Sequence, residues 1–350
     1  MSLFALIVAL LLEQLKPLCS NQYLYGWLSG YVEYFQHHFN SGEYTHGKIA
    51  WWLAVLPITV GSVLVFWGLY YLHPILAWVF NVIALYLCLG FGQFSHCFTD
   101  IQLALSRSKI DEARELLSTL RGRASNRYGK NETRHARSPH LNPLPQAGEG
   151  ANESLREFSF DELNAEEIAR VTIEASLVAL LHHLFGVIVW FVLFSLLGLG
   201  GAAGALFYCL CRALRTHWQD EFSAQESGDA QFDGFARKMS ARLEWLPIRM
   251  TAATFAVVGN FEDTVYCWRS QAASWPDSET GILLASAAGA SGVRLGLPIP
   301  QDGTQLNRPE LGVGNKSNAA ALHSAIRLVW RSLLFMLVTL FMLTLAGLLR

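Results

Sequence analysis

Long apolar runs alternate with polar segments along this chain, and the lengths of those runs predict membrane-spanning helices. A helix needs about 20 mostly apolar residues to cross a bilayer. His73-Pro74 separates the first two runs and predicts a helical hairpin, because proline disfavours helix in the residue before it. Gly200-Gly201 separates the third run from a shorter fourth one. The five predicted spans are residues 49–72, 75–91, 177–199, 202–214 and 333–349.

Four further segments predict helices that do not span. Residues 3–12 predict a membrane-associated half-helix, because no basic segment or small-residue cleavage site marks them as a signal peptide. Residues 99–120 predict one amphipathic helix on the membrane surface, since their large apolar residues recur at helical spacing. Residues 235–246 predict a helix that leads into Pro247, and residues 246–258 predict a buried or interfacial segment.

The polar stretch 122–154 divides the chain. It is rich in Arg, Asn, Pro and Gly and has almost no large apolar residues, so burial cannot offset the entropy cost of ordering it. We therefore predict an N-terminal half with the membrane hairpin (1–121), a disordered insert (122–154) and a C-terminal half (155–350) with the remaining spans and a Gly-rich cytoplasmic segment. The predicted fold class is all-α, a polytopic membrane bundle of about five spans with cytoplasmic amphipathic helices.

Composition supports the membrane interpretation. The chain is 52% hydrophobic and only 15% charged, whereas soluble domains carry about 25% charged residues. Most of the 26 Lys and Arg residues fall in two blocks that the positive-inside rule places in the cytoplasm. These features predict a multi-pass membrane protein with the lipid bilayer as a partner. A net charge of −2 does not favour a nucleic-acid partner, and the oligomeric state stays open.

The cysteines and histidines do not predict a metal site. None of the six cysteines forms a CxxC pair, and no HExxH pattern occurs. No cofactor is evident from these patterns.

Four segments, in order along the chain, resemble the CobD/CbiB family of integral membrane proteins. The most specific is AGASGVRLG at Ala288 to Gly296, followed by WLPIRMTA at Trp245 to Ala252. The helix 168–190 and the segment GAAGALFY at 201–208 complete the resemblance. Family members that have been characterised are adenosylcobinamide-phosphate synthases, which join an aminopropanol-type group to cobyric acid. The resemblance therefore implies a corrinoid or a phosphorylated small molecule as partner, and Mg²⁺ and ATP if the chain is a synthase.

The chain departs from the family at its carboxylates. Alignment places Glu174 on the first Glu of the family's acidic helix, but other residues replace the Glu-Asn pair, the Asp and the Asp-Asp pair that follow. Those positions hold Val178, Ala179, His182, Ser240 and Ala241. Because Mg²⁺ needs oxygen ligands, these losses put catalysis in doubt. The alternative is a non-catalytic sensor or regulator similar to the AmpE-like branch; a transporter is a third hypothesis, without the internal repeat that would favour it.

Three carboxylates are candidates for catalysis. Glu174 lies just before the third span, where it is either the retained catalytic acid or a solvated helix end. Glu262 and Asp263 lie in a polar cluster that follows Asn260 in the sequence. This cluster is either a site that replaces the lost acidic motif or a helix start capped by Asn260.

Seven residues are candidates for ligand binding. His182 and His183 lie inside the third span, where polar groups are costly, so they either line a cavity or bond to neighbouring helices. Gly289, Gly292 and Gly296 with Arg294 form either a phosphate cradle or a tight packing turn. Arg249 is either a ligand-binding residue or an anchor at the membrane surface.

Overall fold

The computed structural model describes residues 2–15, 22–39, 44–126, 163–222, 232–301, 304–306 and 308–348. Within these ranges the protein is a bundle of helices with two short β-ladders, which confirms the predicted all-α class. The α-helices are α1 (Ser2–Leu15), α2 (Gln22–Phe39), α3 (Tyr44–Leu72), α4 (Pro74–Cys88), α5 (Phe91–Ser106), α6 (Ile110–Asn126), α7 (Ala165–Leu180), α8 (Gly186–Leu196), α9 (Gly201–Phe222), α10 (Phe232–Val258), α11 (Phe261–Ser270), α12 (Ser278–Ser291) and α13 (Ala319–Leu348).

The predicted hairpin is formed by α3 and α4. His73 is extended at φ −163° and its ring nitrogen accepts the Ile75 N–H, while Pro74 occupies the first helical position, where no N–H is needed. Local sequence therefore sets this turn. Gly200 likewise adopts φ +86°, a conformation that favours glycine, directly before α9 begins.

One continuous rod runs from Ala165 to Leu196 and contains a π-turn. Asn164 and Glu167 form a reciprocal capping box that starts α7. The turn Leu181–Phe185 joins α7 to α8, and the Gly186 N–H bonds to the Leu181 carbonyl, five residues back. Such turns are frequent at functional sites, and this one contains both predicted histidines.

Two predicted helix boundaries were wrong. The amphipathic segment 99–120 is two helices, α5 and α6, separated at Arg107–Lys109, where Ser108 adopts φ +58°. The helix before Pro247 does not stop there but continues to Val258 as α10, with Ile248 and Phe255 fully buried, in agreement with the predicted burial of 246–258. The turn of α10 that follows Pro247 packs Ile248 and Ala252 in the main core.

The insert stays a prediction. Helix α6 extends to Asn126, so its last turn covers the first residues of 122–154, and the rest of that stretch lies outside the described residues.

The predicted polar loop 301–318 and the residues before it contain short strands. Strand β1 (Leu295–Gly296) pairs antiparallel with β4 (Glu310–Leu311), and β2 (Ile299–Gln301) pairs with β3 (Thr304–Leu306). This hairpin segment, residues 295–311, packs Leu295 and Leu311 into the main core.

Three helices are long and apolar enough to cross a membrane: Thr45–Leu72, Ala165–Leu196 and Ala320–Ala346. The first and the last of these helices along the chain are little buried. They expose large apolar side chains such as Leu64 and Met342, as expected for surfaces that contact lipid. The two other predicted spans lie in α4, which at 15 residues covers only about 22 Å, and in α9, which carries arginines.

Candidate functional site

Glu174 is not a solvated helix end. Its carboxylate is buried, accepts the Gly296 N–H at 2.8 Å and pairs with Arg308. Arg308 also lies over the Trp275 ring, 4.8 Å from its centre, and Arg170, one turn before Glu174, donates to the Pro298 carbonyl at 3.1 Å. These contacts fasten the hairpin segment to α7. We call Arg170, Glu174, Gly296 and Arg308 the Glu174 anchor.

The glycines of AGASGVRLG lie where the backbone turns or where another segment of backbone packs too closely for a side chain. Gly292 ends α12 at φ +65°, and Gly296 adopts φ +74° where a Cβ atom would lie 1.9 Å from the Pro309 carbonyl. A Cβ on Gly289 would lie 2.5 Å from the Asp263 carbonyl. The Gly292 and Gly296 amides donate within the chain, to the Gly289 carbonyl and to Glu174. Phosphate binding by these glycines stays a prediction. The Gly292 and Gly296 N–H groups, which a phosphate would need as donors, already donate within the chain.

A second buried cluster lies between α9 and α10. Glu244, with a side chain only 8% exposed, pairs with Arg212 at 2.9 Å and with Arg215 at 3.2 Å. Both arginines lie on one side of α9, three residues apart.

His182, which lies in the π-turn, is close to Glu244 of this cluster. Its Nδ1 lies 3.7 Å from Glu244 Oε1, too long for a hydrogen bond. His183 is also buried, and its carbonyl accepts the Gly90 N–H at 3.3 Å. The two histidines thus contact different parts of the bundle, as their adjacency predicts.

Two buried hydroxyl groups complete the cluster. Tyr208 precedes Arg212 by one turn and is 1% exposed, while Ser240 precedes Glu244 by one turn and is 2% exposed. Tyr208 packs against the start of α8 because Gly186 has no side chain: a Cβ there would lie 2.4 Å from the ring. We call His182, Tyr208, Arg212, Arg215, Ser240 and Glu244 the arginine cluster.

The arginine cluster does not fit Mg²⁺. Its one carboxylate, Glu244, is engaged by two guanidinium groups, and Mg²⁺ requires several oxygen ligands. Within the described ranges, no three His, Cys, Asp or Glu side chains are arranged to hold a metal ion. ATP with Mg²⁺ therefore has no ligand set among these side chains.

The polar cluster after Asn260 belongs to neither group. Asn260 caps α11 by accepting the Asp263 N–H, and its amide donates to the Asp263 carboxylate at 2.6 Å. Glu262 is exposed on the same first turn. The structure thus contains the capped helix start that was one of the two interpretations of this cluster. A catalytic role for Glu262 and Asp263 stays a prediction.

Arg249 and Arg294 each have an acidic partner. Arg249 pairs with Glu279 at 2.8 Å and lies 4.5 Å from the centre of the Trp245 ring. Arg294, the residue before β1, pairs with Glu310 of β4 at 3.2 Å and donates to the Gly314 carbonyl. Ligand binding by either arginine stays a prediction.

The sequence interpretation missed the arginine cluster. It treated residues 202–214 as a span without remarking that Arg212 lies inside it, although ionisable groups within a span are functional candidates by default. Two substituted positions of the acidic motif, His182 and Ser240, belong to this cluster.

Comparison with known proteins identifies the family. The CobD/Cbib protein family matches residues 155–329, which include the Glu174 anchor and the arginine cluster. The chain belongs to the CobD/CbiB family, and this confirms the resemblance inferred from the sequence.

Relatives that match this chain are each named "Cobalamin biosynthesis protein CobD". The protein from Stutzerimonas stutzeri is 29% identical over 314 residues, which cover 87% of this chain and 86% of the relative. The Chromobacterium violaceum protein is 32% identical over 172 residues, covering 49% and 52%, and the Citrobacter koseri protein is 24% identical, covering 81% and 77%. No solved structure matches the chain.

Proposed function

We propose that this chain acts in cobalamin biosynthesis as a multi-pass protein of the bacterial inner membrane. Its role would be that of an adenosylcobinamide-phosphate synthase, forming an amide bond between cobyric acid and a phosphorylated amino alcohol. The observation that carries the proposal is the alignment with the Stutzerimonas stutzeri protein, which covers most of both chains. Three helices long enough to span a bilayer support the membrane location.

The arginine cluster would contribute binding rather than proton transfer. Guanidinium groups stay charged and cannot serve as a general base, but they pair with phosphate and carboxylate groups. Glu244 would hold Arg212 and Arg215 in place, and the Glu174 anchor would hold the hairpin segment against α7. No step through Mg²⁺ is assigned, because the clustered side chains do not supply its ligands.

A second function is favoured by one observation. Glu244 is the single carboxylate of the arginine cluster and is bound by two arginines, so it is poorly suited to act as a base or to hold a metal ion. A protein with such a site would bind a ligand without converting it. This supports a non-catalytic membrane sensor or regulator of the AmpE-like kind.

Complementation distinguishes the two functions. The gene would be expressed in a bacterial strain that lacks its adenosylcobinamide-phosphate synthase and whose growth depends on completing a corrinoid. Growth is the result expected for the synthase and would exclude a purely sensory role. The Stutzerimonas stutzeri relative serves as the positive control, and immunoblotting of the membrane fraction verifies equal expression. Failure to grow, with normal amounts in the membrane, would contradict the synthase proposal.

A further inference from the structure

An apolar groove lies between three helices of the bundle. It has a volume of about 320 Å³ and is lined by residues within 188–196 of α8, 246–254 of α10 and 335–343 of α13. Two of these helices belong to the candidate spans Ala165–Leu196 and Ala320–Ala346. Lining side chains such as Met250 and Leu343 are about half exposed. The groove is therefore open on a part of the surface that lipid surrounds.

The lining of this groove leaves no hydroxyl hydrogen for a ligand. Thr254 and Thr339 are the polar residues among those that line it. The Thr254 hydroxyl donates to the Met250 carbonyl at 2.8 Å, one turn earlier on α10. The Thr339 hydroxyl donates in the same way to the Phe335 carbonyl at 2.8 Å on α13. A polar molecule would lose its bonds to water there without replacing them, so the groove suits a hydrocarbon chain.

The dimensions of the groove fit one acyl chain. Residues 335 to 343 extend about 12 Å along α13, at 1.5 Å per residue. The hydrocarbon of one leaflet is about 15 Å thick, half of the bilayer core. A volume of about 320 Å³ is at the lower end of the range for small-molecule sites. An α-helix with its side chains is about 10 Å wide, so a helix from a second copy of the chain does not fit inside.

Positive charge lies next to the lining on two of the three helices. Arg331 comes one helical turn before Phe335 on α13, and Arg242 comes one turn before Leu246 on α10. Residues four apart are neighbours on one helix face, and both arginines are exposed. Both also belong to the basic block that the positive-inside rule places on the cytoplasmic side. An apolar groove with cations beside it is complementary to a hydrocarbon chain that carries an anionic head.

We propose that this groove binds one acyl chain of an anionic phospholipid, and that Arg242 and Arg331 supply the charge that selects its headgroup. The cytoplasmic leaflet contains such lipids and has a negative surface potential. The proposal goes beyond general contact with the bilayer, because it predicts a selected lipid at a defined place. It does not depend on the reaction that the chain performs.

Lipid titration of the full chain tests the proposal. The chain would be purified in dodecyl maltoside, and its thermal unfolding midpoint measured as phosphatidylglycerol is added to the mixed micelles. Phosphatidylcholine with the same acyl chains is the control, because its headgroup has no net charge. The midpoint is expected to rise with phosphatidylglycerol, and to need a higher lipid fraction for the same rise with phosphatidylcholine. The ratio of the two apparent affinities measures the selection by charge.

Matched variants locate the acyl chain. Thr339→Phe would place a ring inside the groove. Val338→Phe adds the same ring at the next residue, which is exposed and does not line the groove. Only Thr339→Phe is expected to abolish the rise in midpoint with phosphatidylglycerol.

A second set of variants tests the headgroup and leaves the groove itself intact. Arg331→Gln and Arg242→Gln are each expected to weaken the apparent affinity for phosphatidylglycerol about 5-fold and to leave that for phosphatidylcholine unchanged. Arg269→Gln is the control, since Arg269 is exposed on α11, a helix that contributes no residue to the groove. Its response to both lipids is expected to match that of the unmodified chain.

Three results would overturn the proposal. The first is an unmodified chain whose midpoint responds to neither lipid. The second is an equal apparent affinity for the two lipids, which would remove the selection by charge. The third is an equal phosphatidylglycerol response in Thr339→Phe and Val338→Phe, which would place the lipid elsewhere. Because no corrinoid is present, each result is independent of the complementation experiment.

Discussion

The Glu174 anchor and the arginine cluster use the same residue types to different ends. In the anchor, Glu174 accepts from Arg308 and from the Gly296 amide, and Arg170 lies in the field of Glu174, Glu166 and Glu167. In the arginine cluster, two guanidinium groups share one carboxylate. Both regions thus set two arginines beside one buried carboxylate, and they differ in what that carboxylate holds. Glu174 also binds the backbone of the hairpin segment through the Gly296 N–H, whereas the contacts of Glu244 are with side chains of α9 and with His182. The same ion pair therefore fastens a backbone segment in one region and joins helices through side chains in the other.

The largest expected effect tests the anchor. Glu174→Gln would leave Arg308 partly buried without its charge partner, and the free energy of unfolding should fall by about 3–5 kcal/mol. Thermal or denaturant unfolding in detergent measures it. Glu166→Gln is the control on the same helix, because its pair with Lys316 is solvent-exposed and should contribute about 0–1 kcal/mol. Equal losses in the two variants would contradict a structural role for Glu174.

The next prediction concerns the wall of the arginine cluster. Gly186→Ala would place a Cβ atom 2.4 Å from the Tyr208 ring, so the ring must move and the free energy of unfolding should fall by about 1–3 kcal/mol. Gly68→Ala on α3 has no atom within 4 Å of the added Cβ and should be neutral or slightly stabilising. Unfolding midpoints of both variants provide the measurement. A neutral Gly186→Ala would mean that Tyr208 does not need this close contact.

An effect of similar size compares the two regions directly. Glu244→Gln should lower the free energy of unfolding by about 1–3 kcal/mol, because two partly buried guanidinium groups lose their carboxylate. The loss should be smaller than that of Glu174→Gln, because Arg215 is 28% exposed and can bind water in place of the carboxylate, whereas Arg308 is 16% exposed. Unfolding of both variants in the same detergent measures the difference, and a larger loss in Glu244→Gln would contradict it.

The smallest effect is expected at Arg294, which lies directly before the hairpin segment. Arg294 and Glu310 are 46% and 45% exposed, so Arg294→Gln should change the free energy of unfolding by about 0–1 kcal/mol. Complementation in the synthase-deficient strain is the second measurement. Loss of growth with unchanged stability would support the predicted ligand-binding role of Arg294, and normal growth would contradict it.

What the sequence predicted well was local. The hairpin at His73-Pro74 and the break at Gly200 follow from the conformations that proline and glycine favour, and both are present. The family resemblance was carried by short motifs and was confirmed. The sequence did not predict the ion pairs, because their members are distant along the chain. Arg308 is 134 positions from Glu174, and Glu244 is 32 and 29 positions from its two arginines.

The structure shows where the positions that lost the family's carboxylates lie in the fold. In the sequence, His182 and Ser240 were two unrelated departures from the family's acidic motif. In the structure His182 lies 3.7 Å from Glu244, which pairs with Arg212 and Arg215, and Ser240 is buried one turn before Glu244 on α10. Two positions where the family has carboxylates are therefore next to a carboxylate that this chain supplies from another position.

The π-turn holds one residue more than a regular helical turn, as the bond from the Gly186 N–H to the Leu181 carbonyl shows. In a straight α-helix, an added residue would rotate everything beyond it by about 100°. Here the wider turn absorbs the extra residue, so Glu174 on α7 can face the hairpin segment while Gly186 at the start of α8 faces Tyr208. Deleting a single residue between Leu181 and Phe185 would restore regular α-helical spacing and leave these two directions unchanged. The change would be confined to the turn itself, where His182 lies near Glu244.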